Sequence, residues 1–338
     1  MHRIVFQAFN HLFSPKRTHL LYAVLRVHVR LCLWICCPEI RVNRPDLLRT
    51  PGPVLIAANH PNSFLDAVII DVLFQRPVWS LARGDVFKGK MIRRILHAVK
   101  ILPVYRRSEG VENLQENYRT FEDCIRLFEN NEQVLIFSEG KCINEWHLRP
   151  LLKGTARLAF QAWDRGIPLT VLPTGINYDS FRSFGKIVEI GLGDPIQPLP
   201  ASAEISDGKR MQDFNRQLQQ QLTLHVKEIA PGDKEKAKRL FKRPLSVIQR
   251  IALVIPAALG CLLHLPIFLL CHFLTNKYFS NNDHYDSIQL SLIILGYPVY
   301  LLIVLLLALF LTPWPWFLCI ILMPLLARAA VIFYKKTG

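Results

Sequence analysis

Eight consecutive residues, Asn59-His-Pro-Asn-Ser-Phe-Leu-Asp66, bring together an imidazole, a carboxylate and two capping side chains. They follow the apolar run Pro53–Ala58, which reads as a short buried strand, and lead into a helix-like stretch from Leu65 to Phe74. His60 is therefore expected on a loop at a strand end. Asn62 or Ser63 can cap the helix, with Asp66 in its first turn. On one continuous helix, residues six apart lie on different faces. A loop turned at Pro61 and followed by a helical turn can instead bring the carboxylate to one ring nitrogen. A histidine held in that way has a fixed tautomer and a stabilised cationic form, which is what a general base requires.

Three other stretches carry polar chemistry at strand ends. Phe137-Ser-Glu-Gly140 closes the apolar run Val134–Phe137, so Glu139 projects from a strand end and Gly140 permits close approach to the backbone. Lys141, Asn144, His147, Arg149 and Lys153 follow it. Leu102-Pro-Val-Tyr-Arg-Arg107 ends a strand-like run in two guanidinium groups, whose planar forks suit a phosphate. Val171-Leu-Pro-Thr-Gly175 is an apolar strand that Pro173 and Gly175 are expected to stop.

The elements that must position these groups alternate. Strands are expected at Pro53–Ala58, Val78–Leu81, Ile101–Tyr105, Val134–Phe137, Leu169–Pro173 and Ile187–Ile190. Helices are expected at Leu65–Phe74, Asn113–Asn130 and Gly154–Trp163. Such alternation predicts an α/β fold, a mostly parallel sheet flanked by helices, with its site at the carboxyl ends of the strands.

Taken together, the four stretches resemble the phospholipid/glycerol acyltransferase family, which includes 1-acylglycerol-3-phosphate and glycerol-3-phosphate acyltransferases. Its first block, Asn-His with an Asp a few residues on, is matched by Asn59, His60 and Asp66. Its second, a strand ending in an aromatic residue and Arg, is matched by Tyr105 and Arg106. Its third, Phe-Pro-Glu-Gly-Thr-Arg, is matched by Phe137, Glu139 and Gly140, and its fourth, an apolar strand reaching Pro, by Pro173. Two departures stand out. Five residues separate His60 from Asp66 where four are commoner. Ser138 and Cys142 replace the Pro and Arg of the third block, so Lys141, Arg149 or Lys153 would have to take over phosphate recognition there.

The resemblance implies acyl transfer from acyl-CoA or acyl-carrier protein to a hydroxyl of a glycerol-phosphate or lysophospholipid acceptor. His60 would be the base and Asp66 its orienting partner. Arg106 would hold the acceptor phosphate, with Asn59, Glu139 and Gly140 shaping the site. It implies no metal and no bound cofactor. A lysophospholipid acyltransferase or CoA-independent transacylase is the alternative within the family. A basic membrane tether without catalysis is the alternative of another class. A serine hydrolase is disfavoured because no G-x-S-x-G elbow occurs in the chain.

Composition places this chemistry at a membrane. Of 338 residues, 51% are apolar and 20% charged, and the net charge is +15. A basic surface calls for an anionic partner. No nucleic-acid motif is present, and lipid headgroups explain the charge. The stretches Ile251–Leu274 and Ile288–Leu311 contain no Asp, Glu, Lys or Arg, and Trp316–Tyr334 is broken only by Arg328. Each approaches the roughly 20 apolar residues that a spanning helix needs. The expected organisation is an amphipathic membrane-associated segment over 1–38, the acyltransferase domain over 39–232, a basic juxtamembrane segment over 233–250, and two or three spans over 251–338. The catalytic domain is expected on the cytoplasmic face. Pro256 and Pro266 are expected to break the first span, and the loop Asn276–Ser287 to be translocated. The eight cysteines lack disulfide or zinc spacing and read as thiols.

Overall fold

A computed structural model describes residues 15–105, 114–198, 206–241, 243–311 and 318–337. Seven strands form one sheet: β1 (Glu39–Val42), β2 (Val54–Ala58), β3 (Val78–Arg83), β4 (Ile101–Val104), β5 (Gln133–Phe137), β6 (Thr170–Tyr178) and β7 (Ile187–Leu192). Their spatial order is β1-β7-β6-β2-β5-β3-β4, and every neighbouring pair is parallel except β6–β7. The α/β expectation is met. β2 lies at the centre, and all five of its residues are buried, as a continuous apolar run in a parallel sheet should be.

Helices cover both faces. On one face lie α1 (Pro15–Cys36) and α2 (Phe64–Leu73), packed on Ile56, Ala58, Leu135, Leu172 and Val188. On the other lie α4 (Leu114–Glu129), α5 (Gly154–Asp164) and α6 (Asp207–His225), packed on Leu55, Ala57, Val134, Ile136 and Val171. A short α3 (Lys90–Ala98) leads into β4. The α1 arginines, unusual in an apolar helix, have a job at the end of α2. Arg26 donates to the Asp71, Phe74 and Gln75 carbonyls, and Arg30 to that of Val72. Cations there satisfy carbonyls that have no intrahelical partner.

One reading is corrected in the sheet. β6 does not stop at Pro173 but runs through Gly175 to Tyr178. Gly175 is there because α6 crosses close by: a Cβ at that position would lie 2.5 Å from the His225 carbonyl oxygen. In a strand, such a glycine marks the close approach of another backbone. The edge strand β1 carries too few apolar residues to stand out in sequence.

The chain then forms α7 (Lys234–Phe241), α8 (Val247–Phe279), α9 (Tyr285–Leu311) and α10 (Leu318–Thr337). Pro256 and Pro266 do not break α8, which is continuous through both. A long apolar helix tolerates them because neighbouring groups can satisfy the freed carbonyls. By length and composition, four described helices could cross a membrane: Thr18–Cys36, Val247–Phe279, Tyr285–Phe310 and Leu318–Thr337. Pro313, Trp314, Pro315 and Trp316, expected at the turn between the last two, lie outside the described residues.

The loop between α8 and α9 is not carried away from the sheet domain. Arg182 donates to the Ser280 carbonyl at 2.9 Å, and Asp286 pairs with Lys186 at 2.5 Å. In the stretch Asn276–Ser287, one of its two acids, Asp286 in the first turn of α9, is committed to a buried lysine. The end of α10 docks on the same domain, with Lys335 on Asp179 at 2.8 Å and Lys336 on Glu39 at 2.9 Å.

Candidate active site

The register of the central strands builds the site. β2 pairs with β5 so that Ala58 faces Phe137, and with β6 so that Ala58 faces Thr174. His60 and Glu139 each lie two residues beyond a register-matched pair. They therefore emerge side by side at the carboxyl edge of the sheet.

The two groups six residues apart do meet. His60 Nδ1 lies 2.8 Å from Asp66 Oδ2. The Asp66 side chain is fully buried, and three donors hold it in place. These are the His60 ring, the Asn62 backbone N–H at 2.8 Å on Oδ2, and the Tyr178 hydroxyl at 2.7 Å on Oδ1. Burial pushes the Tyr178 phenol well above its ordinary range, and the Asp66 charge adds to this, so the hydroxyl stays a donor. A carboxylate on Nδ1 places the ring proton there and leaves Nε2 with its lone pair. No described residue bonds Nε2. The ring is stacked on Phe137, with centroids 3.7 Å apart and planes inclined by 11°. The imidazole is thus fixed on one side by charge and on its face by packing.

The loop carrying this pair is strained. Ser63 has φ 51° and ψ −133°, a region that costs a non-glycine residue about 1–3 kcal/mol. Ser63 occupies the N-cap position of α2, but neither its side chain nor that of Asn62 caps the helix. The Leu65 N–H is shared between the Asn62 carbonyl at 3.2 Å and Ser287 Oγ on α9 at 3.0 Å. The Ser63 N–H donates to Cys142 Sγ, also at 3.0 Å. Cys142 therefore serves the loop where the family pattern has an arginine. Burial, with a smaller contribution from Asp66, pushes its thiol up to about 12.

Other expected site residues have partners within the protein. Both polar groups of the Asn59 amide are used on β6: Nδ2 donates to the Ile176 carbonyl and Oδ1 accepts from the Ile176 N–H. Asn59 thus splices the first block to the fourth rather than facing a ligand. Glu139 is a strut, accepting from the His60 N–H and the Arg149 N–H, both at 2.9 Å. Gly140, at φ 67°, is in left-handed backbone where a side chain would be strained. The Arg149 guanidinium sits between Glu139 at 3.4 Å and Glu145 at 3.3 Å, so carboxylates already balance its charge. His147 pairs with Glu228 at the surface. Lys141 and Lys153 are exposed, and Lys153 is the residue before α5. Arg106 and Arg107 lie outside the described residues; Tyr105, just before them, is held by Asn117 at 2.7 Å.

Sequence reasoning missed Tyr178 and Ser287. They lie 112 and 222 positions from the residues they touch, and no spacing rule connects them. The apolar run of β6, read one turn further, was the only signal for Tyr178.

Residues 39–177 match a family model described as Acyltransferase. No curated protein matches the chain. Among solved structures, the chain is similar to that of the 1-acyl-sn-glycerophosphate (LPA) acyltransferase PlsC from Thermotoga maritima. The identity is 15% and the TM-score 0.47, over 72% of this chain and 91% of that one. The matched segment begins at β1 and ends within β6, taking in His60, Asp66 and Glu139. Residues 39–177 of the chain therefore match the acyltransferase family that its four motif blocks resemble.

Proposed function

We propose that the protein is a membrane-bound O-acyltransferase that esterifies a hydroxyl of a glycerol-phosphate or lysophospholipid acceptor. The observation that carries this reading is the buried Asp66 carboxylate on His60 Nδ1, at the carboxyl edge of the sheet, with Nε2 left unbonded by described residues. Nε2 takes the proton of the acceptor hydroxyl as its oxygen attacks the thioester carbonyl. The carbon–sulfur bond then breaks. The leaving thiolate recovers the proton from the imidazolium, giving an ester and a free thiol. No covalent intermediate on the protein is required. General-base assistance of this kind is worth roughly 10²–10⁴-fold.

The acyl donor is an acyl-CoA or acyl-carrier protein, both of which present the thioester that this chemistry needs. Arg106 is the proposed phosphate ligand, with exposed Lys141 and Lys153 as further cations near the Glu139 loop. Arg149 is a weaker candidate because two carboxylates flank it. The catalytic domain is placed on the cytoplasmic face. The 37 basic and 24 acidic residues before position 251 support this, as does the return of Lys335 and Lys336 to the domain.

The test is an acceptor panel. Membranes containing the protein are given labelled acyl-CoA or acyl-carrier protein with glycerol-3-phosphate, lysophosphatidate or lysophospholipids, and the H60A protein serves as blank. Incorporation into one acceptor above the blank is expected. Equal incorporation by both proteins across the panel would refute the reading.

A further inference from the structure

We propose that the first turn of α9 is a working part of the catalytic loop, with Ser287 as a positioning residue for the His60–Asp66 pair. This rests on the acyl-transfer reading above. Ser287 is buried and makes two contacts with the loop. Its Oγ donates to the Asn62 carbonyl at 2.7 Å and accepts from the Leu65 N–H at 3.0 Å. Asn62 is the link onward, because its N–H donates to Asp66 Oδ2, the oxygen that also meets His60 Nδ1. One hydroxyl therefore fixes both ends of the peptide run that aims the carboxylate.

The neighbouring residue fixes the hydroxyl. Asp286 lies 2.5 Å from Lys186, and its Oδ2 also accepts from Asn62 Nδ2 at 3.2 Å. Lys186 in turn donates to the Ser180 carbonyl at 2.9 Å. The start of α9 is thus pinned between the loop and the turn joining β6 to β7. All of these side chains are almost completely buried. The arrangement adds to what the loop supplies for itself. Ser63 is in a strained conformation and its side chain supplies no cap; the loop's own carbonyls, Asn62 and Ser63, meet the Leu65 and Asp66 N–H groups at 3.2 Å, and Ser287 adds a shorter bond from outside. The helix that supplies that bond is one of the four long and apolar enough to cross a membrane. The seating of that helix is then coupled to the geometry of the base.

The experiment uses the full chain in lipid nanodiscs. Ser287→Ala, Ser287→Cys and Ser287→Thr are compared with wild type for kcat, KM and thermal unfolding, with Ser291→Ala as control. Ser291 lies one turn further along α9, and among the described residues its hydroxyl bonds only the Ser287 carbonyl. The expected order of kcat is Thr near wild type, Cys several-fold lower and Ala about tenfold lower, with KM for the acyl donor unchanged within twofold. If the Ala protein does not fold, the Cys and Thr proteins carry the comparison. Equal kcat for those two would overturn the proposal. So would losses that vanish once rates are divided by the folded fraction, because they would mark a purely structural role. An H60A protein that stays active would instead defeat the acyl-transfer reading, whatever the Ser287 series shows.

Discussion

The sheet domain and the C-terminal helices use the same apolar residues in opposite ways. In β2 and β5, Val54, Leu55, Ile56 and Leu135 are fully buried. In α8 and α9, Ile248 is 80% exposed, Leu295 74% and Phe310 83%. Water drives the first set inward. The second set faces outward over lengths that suit a bilayer, where an apolar surface is matched to its solvent. Buried polar groups in each region are informative. The sheet domain buries a carboxylate, Asp66, and α9 buries a carboxylate and a hydroxyl, Asp286 and Ser287, at its first turn. These groups meet at Asn62. The two regions are therefore joined by a polar seam beside His60, the proposed base.

Substitutions on either side of that seam should separate its catalytic part from its structural part. The largest effect is expected for Asp66→Asn. The amide must turn a donor towards one of three donors, His60, Asn62 N–H or Tyr178, and the base loses its anionic partner. The acyl-transfer kcat should fall on the order of 10²–10⁴-fold. A rate near wild type would break the catalytic half of the comparison. Lys186→Met tests the structural half. It leaves Asp286 buried without its cation, and loss of one partner of a buried pair costs about 3–5 kcal/mol. Unfolding of the detergent-solubilised protein should show that loss, and Lys186→Met with Asp286→Leu should recover much of it.

A smaller effect is expected for Tyr178→Phe. It removes one hydrogen bond to a buried carboxylate, worth about 1.5–3 kcal/mol. The melting temperature should fall accordingly, and kcat per folded protein in steady-state assays should be lower by roughly tenfold. The smallest effect concerns the far end of the docked helices. The Arg41 hydrogen bond, aided by Lys336, holds the Glu39 carboxyl down from 4.5 to about 2. The folded value lies below the unfolded one, so the stabilisation is complete above 4.5 and is lost as pH falls from there towards 2. Melting curves of wild type and Glu39→Gln should differ at neutral pH and converge across that window. A difference that stayed constant to pH 3 would show that Arg41 and Lys336 do not hold the Glu39 carboxyl down.

Much of the sheet domain was legible because its strands are short, uniformly apolar and separated by helical periods. His60 and Asp66 were legible because a strand end, a proline and a helix start leave few other ways to place them. What sequence could not show were contacts closed only by the tertiary fold. Asn59 looked like a ligand contact, yet its amide is matched to the backbone of Ile176, 117 positions away. Arg149 looked like a free cation, but Glu145, four residues earlier, already lies against it. Pro173 and Gly175 looked like a stop because local rules cannot see α6 lying over the strand. The partner of Asp286 was not legible because that lysine, Lys186, lies 100 positions away in the turn joining β6 to β7.

The decisive measurement is single-turnover acyl transfer by the His60→Ala protein, at saturating acyl donor and with the acceptor that wild type uses best. With Asp66, Asn62 and Tyr178 unchanged, the rate is expected to drop at least 10²-fold while the folded fraction and donor binding stay at wild-type levels. A rate within about tenfold of wild type would contradict the role of His60 as the base.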